Sequence, residues 1–195
     1  MTSLLQLRQV AKLPLTEVVT RTRQNHAFEH ATINLLAQRF AGAQVMGFSG
    51  PLGFTLLSTL TAEQIIPTVR EALVALKAGQ SELAIHENCG TNLVMTGLLT
   101  TFATILGLGR YVFPGDRKRD VWGFLERLPE VVLLNVVALV IAAPVARSVQ
   151  ANVTTDPDLQ DIEIASIFTD SRGGRRRIRV YTRKANAKNP GSRAI

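Results

Sequence analysis

Twenty consecutive residues without a charge, Gly90 to Gly109 (GTNLVMTGLLTTFATILGLG), constrain this chain more than any other feature. At 1.5 Å per residue a helix of that length reaches about 30 Å, the thickness of a hydrocarbon core. Its Gly and Thr residues suit a water-facing helix badly, but in a membrane span small residues let helices approach closely. A second run, Val131 to Ala146, holds 16 uncharged residues, and as a helix it would reach roughly 24 Å. Pro129 just ahead of it suits a helix start, and Pro144 would kink or end it. The alternative is a pair of buried core helices; the runs favour a two-helix transmembrane hairpin over residues 90–146. Composition agrees, since 46% of the 195 residues are hydrophobic and 19% charged, which excludes disorder for most of the chain. Met1 to Lys12 carry neither an apolar run nor a small-residue cleavage site, so no secretory signal peptide is expected.

The flanks read as water-soluble. Residues 1–89 form a small α/β unit, in which Arg21 to Phe40 is a helix with Phe28, Ile33, Leu36 and Phe40 among its apolar positions. Val45 to Ser58, punctuated by Ser49-Gly50-Pro51, reads as two short strands. Thr61-Ala62-Glu63-Gln64 is a capping-box pattern that opens a helix ending at Gly79. Ser81 to His86 is expected to be extended and to lead into the first span. Residues 147–195 form a basic tail in which Ile162 to Thr169 and Arg177 to Thr182 make a β-hairpin around Ser171-Arg172-Gly173-Gly174, before an end expected to be disordered. The fold class is thus α+β: a small N-terminal domain, a transmembrane hairpin and a C-terminal β-hairpin tail.

Net charge is +7, yet nine Lys and Arg lie between Arg172 and Arg193 with no acid among them. The rest is near neutral, so nucleic acid is not expected as a partner. Arg175-Arg176-Arg177 with Arg179 reads as a solvated strand end or as an attraction to anionic membrane lipids. Localisation is the cell membrane, multi-pass. The loop from Arg110 to Glu130 holds five basic residues, and counting charge alone would place it in the cytoplasm. An N-terminal unit without an export signal and a free cysteine argue instead for cytoplasmic termini. Tyr111, Phe113 and Trp122 would then anchor the loop at the far interface.

All three histidines and the single cysteine fall in two short windows, His26-Ala27-Phe28-Glu29-His30 and His86-Glu87-Asn88-Cys89. On a helix His26 and His30 share a face, so both imidazoles can reach one ion, while Glu29 points to the same side. Zn2+ acidifies a bound water, and Glu29 could take its proton and later return it. A bend at Asn88 would turn His86 and Cys89 toward the same centre. Three His with Cys89 would close a tetrahedron, usually a structural arrangement; three ligands with one place open would permit catalysis.

The first window resembles the HxxEH motif of inverzincin metallopeptidases, which implies His26 and His30 as ligands and Glu29 as base. The joint pattern, His26 to His30 followed by His86 to Asn92 (HENCGTN), resembles a group of uncharacterised small bacterial membrane proteins with HxxEH and HxxCGTN running into an apolar helix. That group implies an integral membrane protein with a metal site and brings no reaction. The chain departs from inverzincins in its short length and in offering Cys89 where they use a distal Glu. The expected function is a zinc-dependent hydrolase, peptidase-like, acting on a membrane-associated protein or peptide. The alternatives are a non-catalytic membrane protein with a structural His3Cys site and a lipid-binding assembly factor.

Overall fold

Pro14, extended at φ −61° and ψ 148°, delivers the chain into the first helix, α1 (Leu15–Arg39), in the computed structural model, which describes residues 13–112, 121–172 and 175–185. The helix begins before the expected Arg21, its first turns supported by an ion pair of Glu17 with Arg21 (2.8 Å) and by the Thr22 hydroxyl, which donates to Val18 O. Ala27, Phe28, Ala31 and Leu36 form its fully buried face. The next two strands, β1 (Val45–Gly50) and β2 (Gly53–Ser58), make the hairpin expected between Val45 and Ser58. In α2 (Ala62–Lys77) Gln64 Oε1 accepts from the Thr61 backbone N–H at 2.9 Å, one arm of the anticipated capping box.

Ser81 to His86, expected to be extended, instead opens with a turn of 3-10 helix, Ser81–Ala84. The turn buries Leu83 and Ala84 and offers the carbonyls of Leu83, Ala84 and Ile85 to α1, where Asn34 and His30 bind them. An extended strand would leave those acceptors pointing alternately away from α1.

The strands β3 (Ile162–Arg172) and β4 (Arg175–Lys184) form the C-terminal antiparallel hairpin, with Arg172 opposite Arg175 and Gly173-Gly174 outside the described residues. Its β4 pairs with β2, Leu56 opposite Ile178, so the sheet runs β1-β2-β4-β3 with every pair antiparallel. Phe54 and Leu56 on β2, with Ile178 and Val180 on β4, turn to one face, which α1 and α2 cover. Phe28 meets Phe54 edge-on with ring centres 5.0 Å apart, and Ile65, Val69 and Leu76 of α2 complete the core. Sequence reading sets residues 147–195 apart as a tail; in the structure the chain up to His86 and the chain from Ala151 make one unit, and Glu87–Gln150 make the other. The alternating apolar residues of β4 need a covered face, and a two-stranded hairpin alone cannot provide one.

The second unit consists of α3 (Gly90–Val112) and α4 (Val121–Val149), both long and apolar enough to cross a membrane. Neither proline bounds α4: the helix starts well before Pro129, runs through Pro144 and passes into a π-helical turn, Gln150–Thr154. Each interior proline removes one backbone bond, which packed helices and local widening can absorb. Only 11% of each apolar window is buried. Ala138, Ala142 and Ala146 lie inside, while Leu93, Leu133 and Val140 face outward. Buried core helices would show the reverse pattern; small residues within and large apolar ones without suit lipid. Asn135 Nδ2 donates to Thr104 Oγ1 (3.0 Å) and Gln150 Nε2 to Asn92 Oδ1 (2.7 Å), tying this pair at two levels. Phe113 and the basic residues Arg117, Lys118 and Arg119 lie outside the described residues, as do residues 186–195 of the expected disordered end.

Candidate metal centre

Three imidazoles gather in the first unit. His26 and His30 project from one face of α1 with ring centres 4.2 Å apart, and the His86 ring lies 5.8 Å from that of His30. His30 is 1% exposed, and the other two are half-buried. Two imidazoles on one tetrahedral zinc place their ring centres about 5 Å apart, between those two separations.

The orientation of the rings carries more than their spacing. His26 Nδ1 stands 2.9 Å from Thr154 O, His30 Nδ1 2.7 Å from Ala84 O, and His86 Nδ1 2.7 Å from Asn34 Oδ1. A carbonyl oxygen only accepts, so each Nδ1 carries the hydrogen and each Nε2 carries the lone pair. Metal-binding histidines are characteristically held this way, the far nitrogen donating to a carbonyl or carboxylate. The Asn34 amide cannot be reversed, because its Nδ2 donates to Leu83 O at 2.9 Å and Ile85 O at 2.8 Å. Asn34 therefore anchors the segment that carries His86 and sets the ring's tautomer in one stroke.

Glu29 is buried at 5% exposure, its carboxylate accepting from the Ser49 hydroxyl. A Cβ at Gly47 would fall 2.1 Å from Glu29 Oε1, so only glycine lets β1 lie against this carboxylate. Hydrogen bonding offsets much of the cost of burying the group. Cys89 belongs to the second unit, immediately before α3, where its Sγ accepts from the Thr91 backbone N–H at 3.4 Å. A helix N-terminus favours a negative ligand atom there. The chain turns at Glu87–Asn88, where a bend was expected.

Sequence reasoning missed Asn34, Ser49 and Gly47. Asn34 did carry a signal: His26, His30 and Asn34 recur at intervals of four and share a helix face. The carbonyls of Thr154 and Ala84 carried none, since any residue supplies a carbonyl.

A family model described as a domain of unknown function, DUF6391, matches residues 21–167, a stretch that includes both ligand windows. The chain belongs to the DUF6391 family. An uncharacterised protein of Picosynechococcus sp. (strain ATCC 27264 / PCC 7002 / PR-6) is 33% identical over 110 residues, 52% of this chain and 53% of that protein. The chain thus spans about half the length of the curated relative it matches. No solved structure matches. Neither the DUF6391 description nor that relative names a reaction, so the inverzincin likeness rests on the HxxEH spacing alone.

Proposed function

We propose that this DUF6391 chain is a two-span membrane protein, its termini cytoplasmic, that holds one Zn2+ ion with His26, His30 and Cys89 and takes His86 as the fourth donor. The carrying observation is the set of three imidazoles whose Nδ1 atoms are bound to carbonyl oxygens, which fixes Nε2 as the lone-pair atom of each ring. Two imidazoles and a thiol, those of His26, His30 and Cys89, are a donor set that could hold a metal, and zinc takes this combination. Chain connectivity supports the thiol: three residues past His86, its Cα lies within about 11 Å of that residue's. Four donors close a tetrahedron, so the first reading is a structural centre.

A second reading, a peptidase-like hydrolase acting at the membrane surface, is favoured by one observation: a buried carboxylate, Glu29, directly precedes His30 and is fixed by Ser49. A bound zinc would supply Lewis-acid chemistry. Glu29 would take the proton of the attacking water and return it to the leaving group, and His86 or Cys89 would yield its place.

Metal analysis of the full-length protein in detergent tests both. About one zinc per chain is expected in the wild type and in Glu29→Gln, because the carboxylate is not assigned as a ligand. In Cys89→Ser, cobalt substitution should lack the thiolate-to-metal absorption that the wild type shows. A wild type without stoichiometric metal would overturn the proposal, and a Glu29→Gln protein without metal would overturn the base assignment. Under the second reading alone, Glu29→Gln also loses hydrolysis of a membrane peptide while keeping its zinc.

Asn34→Ala removes the acceptor for His86 and the donor to the carbonyls of Leu83 and Ile85. Zinc affinity should fall about 10- to 100-fold, the usual cost of losing an outer-shell partner. Competition against a chromophoric chelator measures it, and an unchanged affinity would separate Asn34 and His86 from the ion.

A further inference from the structure

The face of the sheet turned away from α1 and α2 has a chemistry of its own. Its rows follow from the strand register: Met46, Leu57, Arg177 and Asp170 lie side by side, and next to them Phe48, Thr55, Arg179 and Phe168. Met46, Phe48 and Phe168 are each more than half exposed. Between them Arg175, Arg177 and Arg179, with Phe48, Leu57 and Tyr181, line a shallow depression of about 650 Å³. Among the described residues of these rows Asp170 is the one acid, and it pairs with Arg177, which holds its carboxyl below the usual range. Arg177 Nε is shielded from solvent and has no hydrogen-bond partner among the described residues.

Guanidinium groups set among exposed aromatic and aliphatic side chains match the boundary of an anionic bilayer. Arg binds phosphate oxygens through its donor fork, while apolar side chains enter the region just below the headgroups. A nucleic acid would be met by stacking on flat aromatic faces along a basic groove, whereas Met46 and Leu57 occupy the neighbouring positions here. The chain also carries two helices long enough to span a bilayer, so covalent connection keeps this unit close to any bilayer they enter.

We propose that the outer face of the sheet docks on anionic lipid headgroups, Arg175 and Arg179 binding the phosphodiesters and Phe48 and Phe168 entering the interface. The inference is independent of the proposed metal centre, whose residues lie on α1 and in the segment between the 3-10 turn and α3.

Tryptophan fluorescence tests it in the full-length protein carrying Trp122→Phe and Phe48→Trp. The protein is reconstituted into phosphatidylcholine vesicles, with or without phosphatidylglycerol, using lipids brominated on the acyl chains. In anionic vesicles at low salt the introduced indole should shift to the blue and be quenched by bromine, and high salt should reverse both. Adding Arg175→Gln and Arg179→Gln should lower the ratio of docked to undocked protein roughly thirtyfold. Far-UV circular dichroism checks that the sheet survives, and the salt response of the parent protein stands without those variants. Equal emission in neutral and anionic vesicles would overturn the proposal. So would a shift that depends on protein-to-lipid ratio instead of lipid charge, since a second copy would then cover the face.

Discussion

His30→Ala should leave the purified protein with no stoichiometric zinc, while Arg183→Gln, on β4, should keep its full complement. Zinc at a structural site contributes about 10–16 kcal/mol in small domains, so one of four ligands accounts for about 2.5–4 kcal/mol, an affinity loss of roughly 70- to 800-fold. His30 should be the most sensitive of the proposed ligands, because it is buried and its Nδ1 holds Ala84 O at 2.7 Å. Truncation therefore removes a ligand, strands a buried carbonyl and loosens the turn that precedes His86. Metal analysis by plasma mass spectrometry reads the first effect, and thermal unfolding with and without added zinc reads the others. Zinc should raise the midpoint of the wild type and leave His30→Ala unmoved, because a ligand stabilises only the state that binds it. Acid should mimic the variant, because protons compete with the metal for the imidazole and thiolate donors. A His30→Ala protein that retains one zinc per chain would remove His30 from the ligand set.

Much of this was legible from residue order, and the limits have physical reasons. The two apolar helices were visible because a long uncharged run is a local pattern of composition, with no dependence on distant partners. The β1–β2 hairpin, α2 with its Thr61–Gln64 cap, and the C-terminal hairpin were visible because each is a local pattern. What was not visible is the pairing of β2 with β4, which joins residues more than a hundred positions apart and leaves no mark within either strand. The same reason hid the acceptor of His26: Thr154 O comes from the chain beyond the helical pair. Proline misled at Pro129, where the first-turn preference of the residue suggested a start and the helix runs through it. For the centre, side-chain chemistry pointed to His26, His30, His86 and Cys89, while the atoms that orient the rings are mostly backbone and anonymous in sequence.

Gly53→Ala should be the most damaging of the small substitutions in this chain, and Gly50→Ala, across the same turn, should be nearly silent. Gly53 has φ 141°, a region that L side chains rarely adopt, and a Cβ built there would stand 1.9 Å from Val180 O. The strand cannot yield, because Gly53 is in register with Gly50 on one side and Tyr181 on the other, and Thr182 N donates to Leu52 O at 3.0 Å. Backbone strain at such a position costs about 1–3 kcal/mol, and separating β4 from β2 would uncover Phe54, Leu56, Ile178 and Val180 as well. A total of about 4 kcal/mol or more is expected, against less than about 1 kcal/mol at Gly50, where a Cβ meets nothing within 4 Å. Thermal unfolding and tryptic cleavage measure the difference, the arginines of β4 being the sites exposed when the joint opens. The variant also separates local from distant support of the metal centre. The chain from Ala151 onward presents Thr154 O to His26 and is held to the sheet through β4, so Gly53→Ala should weaken zinc binding although it touches no ligand. Wild-type stability and zinc affinity in Gly53→Ala would mean that β4 does not pack against β2, and that His26 is oriented by something other than Thr154.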